Sequence, residues 1–299
     1  MQSTEKCGII IINKPKGGSS HRCVGAVRKA MNMKKVGHTG TLDPEASGVL
    51  PILIGTATRA AEFLTAEDKR YRATILLGTR TDTLDMAGTV LEENPVKVTE
   101  DDLREAIASF VGDISQIPPM YSAIQVNGQR LYHLARQGID IEREARIVTV
   151  FSIDIADISL PYVTIDVHCS KGTYIRTLAS DIGDKLGCGG CISELCRTAS
   201  GIYTIEDSIT PDELLKLAEE GRAEEVIIPV DTAFSQYGAI RLDKKRADRV
   251  KNGVPIYYKG KKQGNLYRVY DENDVFIALS QVDTVDGREC LKLIKGFYK

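Results

Sequence analysis

The chain has 299 residues, 42% of them hydrophobic and 27% charged, with a net charge of −2. That composition suits a soluble globular protein with one large domain and one small one, and it excludes a largely disordered chain. No apolar run approaches the ~20 residues that cross a bilayer, and Ile9 to Ile12 is too short for a signal-peptide core, so the sequence reads as cytoplasmic and free of membrane contact.

In chain order, a polar lead from Met1 to Lys6 is followed by Gly8 to Ile12, a short buried strand. Asn13 to Gly18 reads as a loop by its Pro and Gly content. Ser19 or Ser20 can cap a helix that runs through Val24, Val27, Ala30 and Met31 at helical spacing. A Gly-rich loop from Gly37 to Gly48 leads into the apolar segment Val49 to Ile54. Ala57 to Ala66 reads as a helix. Lys69 to Leu77 alternates as a strand, with Tyr71 and Ala73 on one face and Arg70 and Arg72 on the other. Thr99 to Phe110 has a cap and acids in its first turn, which predicts a helix. Ile147 to Leu160 and Tyr162 to Cys169 form a predicted hairpin. Predicted helices follow over Thr173 to Leu186, ended by Gly187, and over Pro211 to Glu220. From about residue 236 the character changes to short strands with Gly turns: Val254 to Tyr258, Leu266 to Tyr270, Val275 to Val282 and Glu289 to Lys295. That is the pattern of a small β-barrel. The expected class is α+β, a mixed and mostly antiparallel sheet over 1–236 with a small β-barrel over 237–299.

Charge is segregated. Between Glu5 and Asp43 there is no acid, while Lys6, Lys14, Lys16, Arg22, Arg28, Lys29, Lys34 and Lys35 lie there. From Arg241 to the end, 14 Lys and Arg stand against 8 Asp and Glu. Positive patches on an otherwise acidic chain suit a polyanion, although charge runs also serve simply as solvated faces. Of the seven cysteines, Cys188, Cys191 and Cys196 cluster. A structural zinc site needs a second close pair, so the thiols read as reduced and structural, and no metal is expected.

Asp43 sits in a loop dense in Gly, Thr and Ser, directly before Pro44. Taken alone, Asp-Pro is a turn or a cap. Its place as the first acid after eight cations says more. A carboxylate in a positive groove opposes phosphate binding but serves as a nucleophile or base on RNA, and a nearby cation would keep it ionised. Arg176, just after a strand–turn–helix junction, is a candidate for that cation or for a phosphate contact. Tyr71, within Lys69-Arg70-Tyr71-Arg72, is either a ring for base stacking or a core tyrosine.

Four ordered segments carry a resemblance. They are Gly8 to Pro15 with Gly17, Ser19 and Ser20; Gly37-His38-Thr39-Gly40-Thr41-Leu42-Asp43-Pro44 with Ser47-Gly48, Lys69 to Tyr71 and Gly78 to Asp85; Pro118 to Ala123 with Tyr132 to Gly138; and Ser170 to Leu178. Over about 8–205 the chain resembles the bacterial tRNA pseudouridine synthase B family. The resemblance implies a pseudouridine synthase catalytic domain and a PUA-like tail. It implies Asp43 as the catalytic aspartate, Tyr71 as the ring on the target base and its proton acceptor, and Arg176 as the partner of the aspartate. It further implies His38 as a T-loop contact, Lys14 and Pro15 as support under the loop, Leu195 as a pocket leucine and Asp85 as an RNA-contacting aspartate. Lys14, Arg59, Lys69, Arg70 and Tyr174 are counted with the RNA contacts. Asn13 departs from the family's usual Asp, and Cys191 and Cys196 stand where His and Arg are often found.

The implied reaction isomerises the T-loop uridine at tRNA position 55 and needs no cofactor, with the T-arm stem-loop of tRNA as partner and a monomer as the working form. RNA specificity would come from loop shape and splayed bases. Rival readings are a glycoside hydrolase, which needs a second carboxylate such as Glu45, a guide-RNA-dependent pseudouridylase, and a non-enzymatic tRNA-folding chaperone.

Overall fold

The computed structural model describes residues 6–126, 128–258, 263–285 and 287–298; the polar lead up to Glu5 lies outside them. A nine-stranded sheet dominates. Its main path runs Gly8–Lys14, Ser47–Ile54, Gly190–Ser200, Lys69–Leu77, Tyr162–Cys169, Arg146–Ser159 and Gly112–Gln116. Val36–His38 pairs with Ser47–Ile54, and Tyr203–Thr204 pairs with Gly190–Ser200. Every pairing is antiparallel except that of Ser47–Ile54 with Gly190–Ser200. The expected mixed, mostly antiparallel α+β architecture is therefore observed.

The unbroken apolar runs Ile9 to Ile12 and Val49 to Ile54 are explained by burial on both faces. Ile10, Ile12, Leu50 and Ile52 pack under the helices Ser20–Met31 and Pro211–Glu219. Ile9, Ile11, Val49 and Leu53 face the opposite way, into a core shared with Phe234, Leu279 and Phe297. A further core, built on Ala73, Ile75, Val163 and Ile165, lies under the helices Glu100–Ala108 and Ile175–Lys185. Tyr71 and Leu195 pack against both helical cores, so they mark the seam between them.

The C-terminal strands form a separate five-stranded sheet in the order Gly238–Arg241, Leu266–Tyr270, Phe276–Val285, Arg288–Gly296 and Ile256–Tyr257, with its own core around Val269, Ala278 and Leu291. This is the expected small β unit, and Phe276 and Phe297 pack it against Phe234.

Several expectations are adjusted. The helix expected over Ala57 to Ala66 is a 3-10 turn, Gly55–Ala60, followed by a short helix, Ala61–Ala66. The helix expected from Thr173 begins at Ile175, because Tyr174 is still extended at φ −98° and ψ 108°. The start of the Gly37 to Gly48 loop is the strand Val36–His38. The central strand Gly190–Ser200 and the helix Lys244–Lys251 have no counterpart in the sequence reading.

On the helix that carries Arg176, burial pushes the Asp181 carboxyl up to about 6, and the neighbouring Asp184 adds to the shift. The folded value lies above the ordinary 3.8, so the folded chain holds the extra proton more tightly. The group's contribution is fully present below about pH 4 and is lost as the pH rises through about 6. Asp181→Asn is therefore expected to stabilise the chain more at pH 8 than at pH 4.5, by about 1 kcal/mol after allowance for partial exposure. Thermal melts of both proteins at the two pH values check this; an equal change at both would contradict it.

Candidate active site

The loop 39–46 connects Val36–His38 to Ser47–Ile54 and carries Asp43 at its tip. It is held from below by side chains that donate to its carbonyls. Lys14, fully buried at the end of its strand, donates from Nζ to the carbonyls of Pro15 at 2.9 Å and Pro44 at 3.0 Å. Burial lowers its pKa, while Cys23, Asp43 and Glu45 oppose that shift. The Gly17 amide donates to the same Pro44 carbonyl at 2.8 Å. Ser20 Oγ accepts from the Leu42 amide at 2.9 Å and donates to the Leu42 carbonyl at 3.1 Å. Arg197 donates from Nε to the Val49 carbonyl at 2.7 Å and from Nη2 to the Gly40 carbonyl at 3.1 Å. Gly48, at φ +103°, is required where the loop rejoins the sheet: a Cβ there would sit 2.2 Å from the Arg197 carbonyl oxygen.

Above this base, Asp43 stands 39% exposed beside Arg176, which is 5% exposed. Arg176 Nε lies 2.9 Å from Asp43 Oδ2 but makes no in-line hydrogen bond to it, so the contact is chiefly Coulombic. The guanidinium is fixed by donation from Nη1 to the Thr83 carbonyl and from Nη2 to the Tyr121 carbonyl, both at 2.8 Å. A second carboxylate, Asp85, lies 3.9 Å from Nη1 and is itself held by Thr83 Oγ1 at 2.7 Å and the Ala87 amide at 3.1 Å. These groups open on a cleft of about 350 Å³ whose wall also includes Lys16, Glu45, Met86 and Leu195. Charged groups thus share the cleft with apolar side chains, a mixture suited to a planar polar ring.

The other predicted site residues fall into two groups. Tyr71 is half-buried, packs against the same cores as Leu195, and is not among the residues that line the cleft. Burial raises the pKa of its hydroxyl, a hydrogen bond and the charge of Arg197 oppose this, and Asp43 adds to the rise. Tyr174 is tied through its backbone to the Gln116 side chain. Burial raises its hydroxyl too, with Asp43 adding and Arg176 opposing. His38 is buried at Nδ1 with no partner there, and its pKa is lowered by burial, then by Arg197, so the ring is neutral at pH 7.

The second group sits elsewhere. Arg59 is committed to the carbonyls of Gly296 at 2.9 Å and Tyr298 at 2.7 Å, which places it at the junction with the C-terminal sheet. Lys69 is buried, donates to the Thr65 and Glu67 carbonyls, and is brought down to about 8 by burial and then by Arg197. Both have structural partners in place of the open cation expected of an RNA contact. Arg70 is exposed on the opposite sheet face from Tyr71. The sequence reading misses Arg197, Ser20, Lys16 and Glu45 as site residues. It notes Cys196 where the family often has Arg and passes over the neighbouring Arg197, which is only 2% exposed. Cys191 is fully buried and Cys196 half-buried, and no metal-ligand cluster is present among the described residues.

Removing the Lys14 ammonium takes one of two donors from the Pro44 carbonyl of the loop and the side-chain donor from the Pro15 carbonyl. Lys14→Met is expected to destabilise the fold by about 2 kcal/mol and to speed hydrogen exchange of amides in 40–46 selectively. Exchange mass spectrometry checks this; uniform protection across the loop would contradict the clamp.

Comparison with known proteins gives the family. Residues 28–175 match the description "TruB family pseudouridylate synthase (N terminal domain)", and residues 176–235 match "tRNA pseudouridylate synthase B C-terminal domain". The chain is 45% identical over 292 residues to the tRNA pseudouridine synthase B of Clostridium tetani, covering 96% of this chain and 99% of that one. It is 49% identical over 250 residues to that of Alkaliphilus oremlandii, covering 84% and 83%. Among solved structures, a Cbf5-Nop10-Gar1 complex superposes with a TM-score of 0.74 at 28% identity, over 97% of this chain and 85% of that one. An H/ACA RNP bound to a substrate RNA containing 2'-deoxyuridine gives 0.73 at 26%, over 98% and 85%. The chain belongs to the TruB family of pseudouridylate synthases.

Proposed function

We propose that the chain converts the uridine at position 55 in the tRNA T-loop to pseudouridine, with Asp43 as the nucleophile. The observation that carries the reading is the Asp43–Arg176 pair, an accessible carboxylate against an almost wholly buried guanidinium at the edge of a cleft. The fixed guanidinium orients the carboxylate at the cleft edge, where it can act as a nucleophile.

In the reaction the N1–C1′ glycosidic bond breaks, the uracil turns, and a C5–C1′ bond forms. The C5 proton leaves and N1 regains one, so atoms balance with no redox step. The uridine must first leave the T-loop stack, at a cost of a few kcal/mol. Asp43 attacks at C1′ of the ribose or at C6 of the uracil; on either route its bond to the nucleoside breaks again, which frees the carboxylate and gives the same product. Arg176 orients the carboxylate, and Asp85 shares that guanidinium from the cleft wall. The Tyr71 ring faces the base, and its oxygen takes the C5 proton. His38 and Tyr174, both close to the charged groups of the site, contact the extruded nucleotides. Leu195 supplies the apolar side of the pocket.

In this reading 1–236 forms the catalytic domain, 237–299 serves as a PUA-like RNA-binding unit, and the protein works as a cytoplasmic monomer on the T-arm. The identity to curated tRNA enzymes, 45–49%, exceeds the 26–28% to the guide-RNA assemblies and favours the stand-alone activity.

Tritium release from tRNA labelled at C5 of uridine tests the reading. The native chain is expected to release label in an amount equal to one uridine per tRNA, and Asp43→Asn, at matched tRNA binding, to release none. Binding by the native chain without release would overturn it and favour a tRNA-folding role.

A further inference from the structure

Arg197 is among the largest side chains that the fold buries completely. A buried guanidinium is ordinarily paired with a carboxylate, because an unpaired charge out of water is costly. Among the described residues, the partners of Arg197 are neutral. Two are the carbonyls of Gly40, within the Asp43 loop, and Val49, on the strand that follows it. The third lies across the sheet. Arg197 on Gly190–Ser200 is the direct cross-strand partner of Tyr71 on Lys69–Leu77, and on its other side it is registered with Gly48. A direct cross-strand pair places both side chains on one face of the sheet, and the guanidinium charge acts on the Tyr71 hydroxyl.

We propose that Arg197 is a positioning residue whose one planar fork ties the loop that carries Asp43 to the hydroxyl end of Tyr71. Guanidinium geometry explains the choice of residue. Its donors diverge at fixed angles, so the groups bound to it hold fixed places relative to one another; a lysine ammonium at the end of a flexible stem imposes no such frame. The tight approach of Gly48 to the Arg197 backbone anchors the same side chain from its other end. The guanidinium adds an electrostatic effect. A neutral phenol is a weak base for a proton on carbon, and burial makes its anion still less accessible. An unneutralised cation against the hydroxyl works in the opposite direction and favours transient phenolate character at Tyr71. The same charge disfavours protonation of His38.

The catalytic half of this inference rests on the proposed uridine isomerisation; the contact with Tyr71 does not, so the test has two readouts. The chain is labelled with 13Cζ-tyrosine, and the Tyr71 resonance among the 12 tyrosines is assigned by its loss in Tyr71→Phe. Arg197→Lys and Arg197→Gln are then compared with the native chain for that resonance, for tRNA affinity and for single-turnover rate. The expected result is a shifted Tyr71 resonance in both variants with the other tyrosines in place. Single-turnover rates should fall about 100-fold for Gln and about 10-fold for Lys, with affinity changed less than about 3-fold. If Arg197→Gln does not fold, Arg197→Lys decides by the same two readouts. An unmoved Tyr71 resonance, or an unchanged rate in a variant that binds tRNA, would overturn the proposal. A silent native chain whose Tyr71 resonance still responds to Arg197→Lys would overturn the isomerase reading and the catalytic half with it, leaving only the structural tie.

Discussion

The site depends on how one short loop with only two side chains in a core is kept in place. Residues 39–46 contribute few apolar side chains, Leu42 and Ala46 being the buried ones. The loop is held by donors that come from three distant segments: the Lys14 ammonium, the Ser20 hydroxyl and the Arg197 guanidinium. Burying two cations is costly, and hydrogen bonds to carbonyl oxygens recover part of that cost. The arrangement makes sense if the loop must present a carboxylate at a fixed position, since hydrophobic packing alone positions a polar tip poorly.

Electrostatics then separates the acids of the cleft by role. Arg176 is oriented by two carbonyls at 2.8 Å, leaving Nε toward Asp43 at 2.9 Å and Nη1 toward Asp85 at 3.9 Å. Asp85 is buried and satisfied by Thr83 and Ala87, whereas Asp43 retains open approach from the cleft. One guanidinium thus faces a fixed carboxylate and an available one, and the available one is suited to attack. The fold supplies this by bringing the N-terminal turn of Ile175–Lys185 over the seam between the two helical cores, where Tyr71 and Leu195 also lie.

How much of this the sequence discloses follows from periodicity. Lys69–Leu77, Tyr162–Cys169 and Leu266–Tyr270 have the boundaries that their patterns predict. Ser19 caps the first helix as expected by accepting from the Arg22 amide. Gly190–Ser200 is illegible because it serves the site: Ser193, Arg197 and Ser200 are polar residues in a central strand, and they erase the apolar signature. Lys244–Lys251 is illegible because only Ala247 and Val250 turn inward. Asp43, Arg176 and Leu195 are recognisable by their motifs, but the 2.9 Å contact joining the first two crosses most of the chain and no spacing rule reaches that far. Arg59 and Lys69 look like free cations in sequence because carbonyl partners leave no trace in it.

The most direct test of the central claim maps the product. An unmodified tRNA transcript is incubated with the chain, treated with carbodiimide to mark pseudouridine, and read by primer extension. One new stop, reporting position 55 and absent when the T-loop uridine there is replaced by cytidine, is the predicted result. Stops at other positions, or none while the tRNA remains bound, would contradict the assignment of this site to T-loop isomerisation.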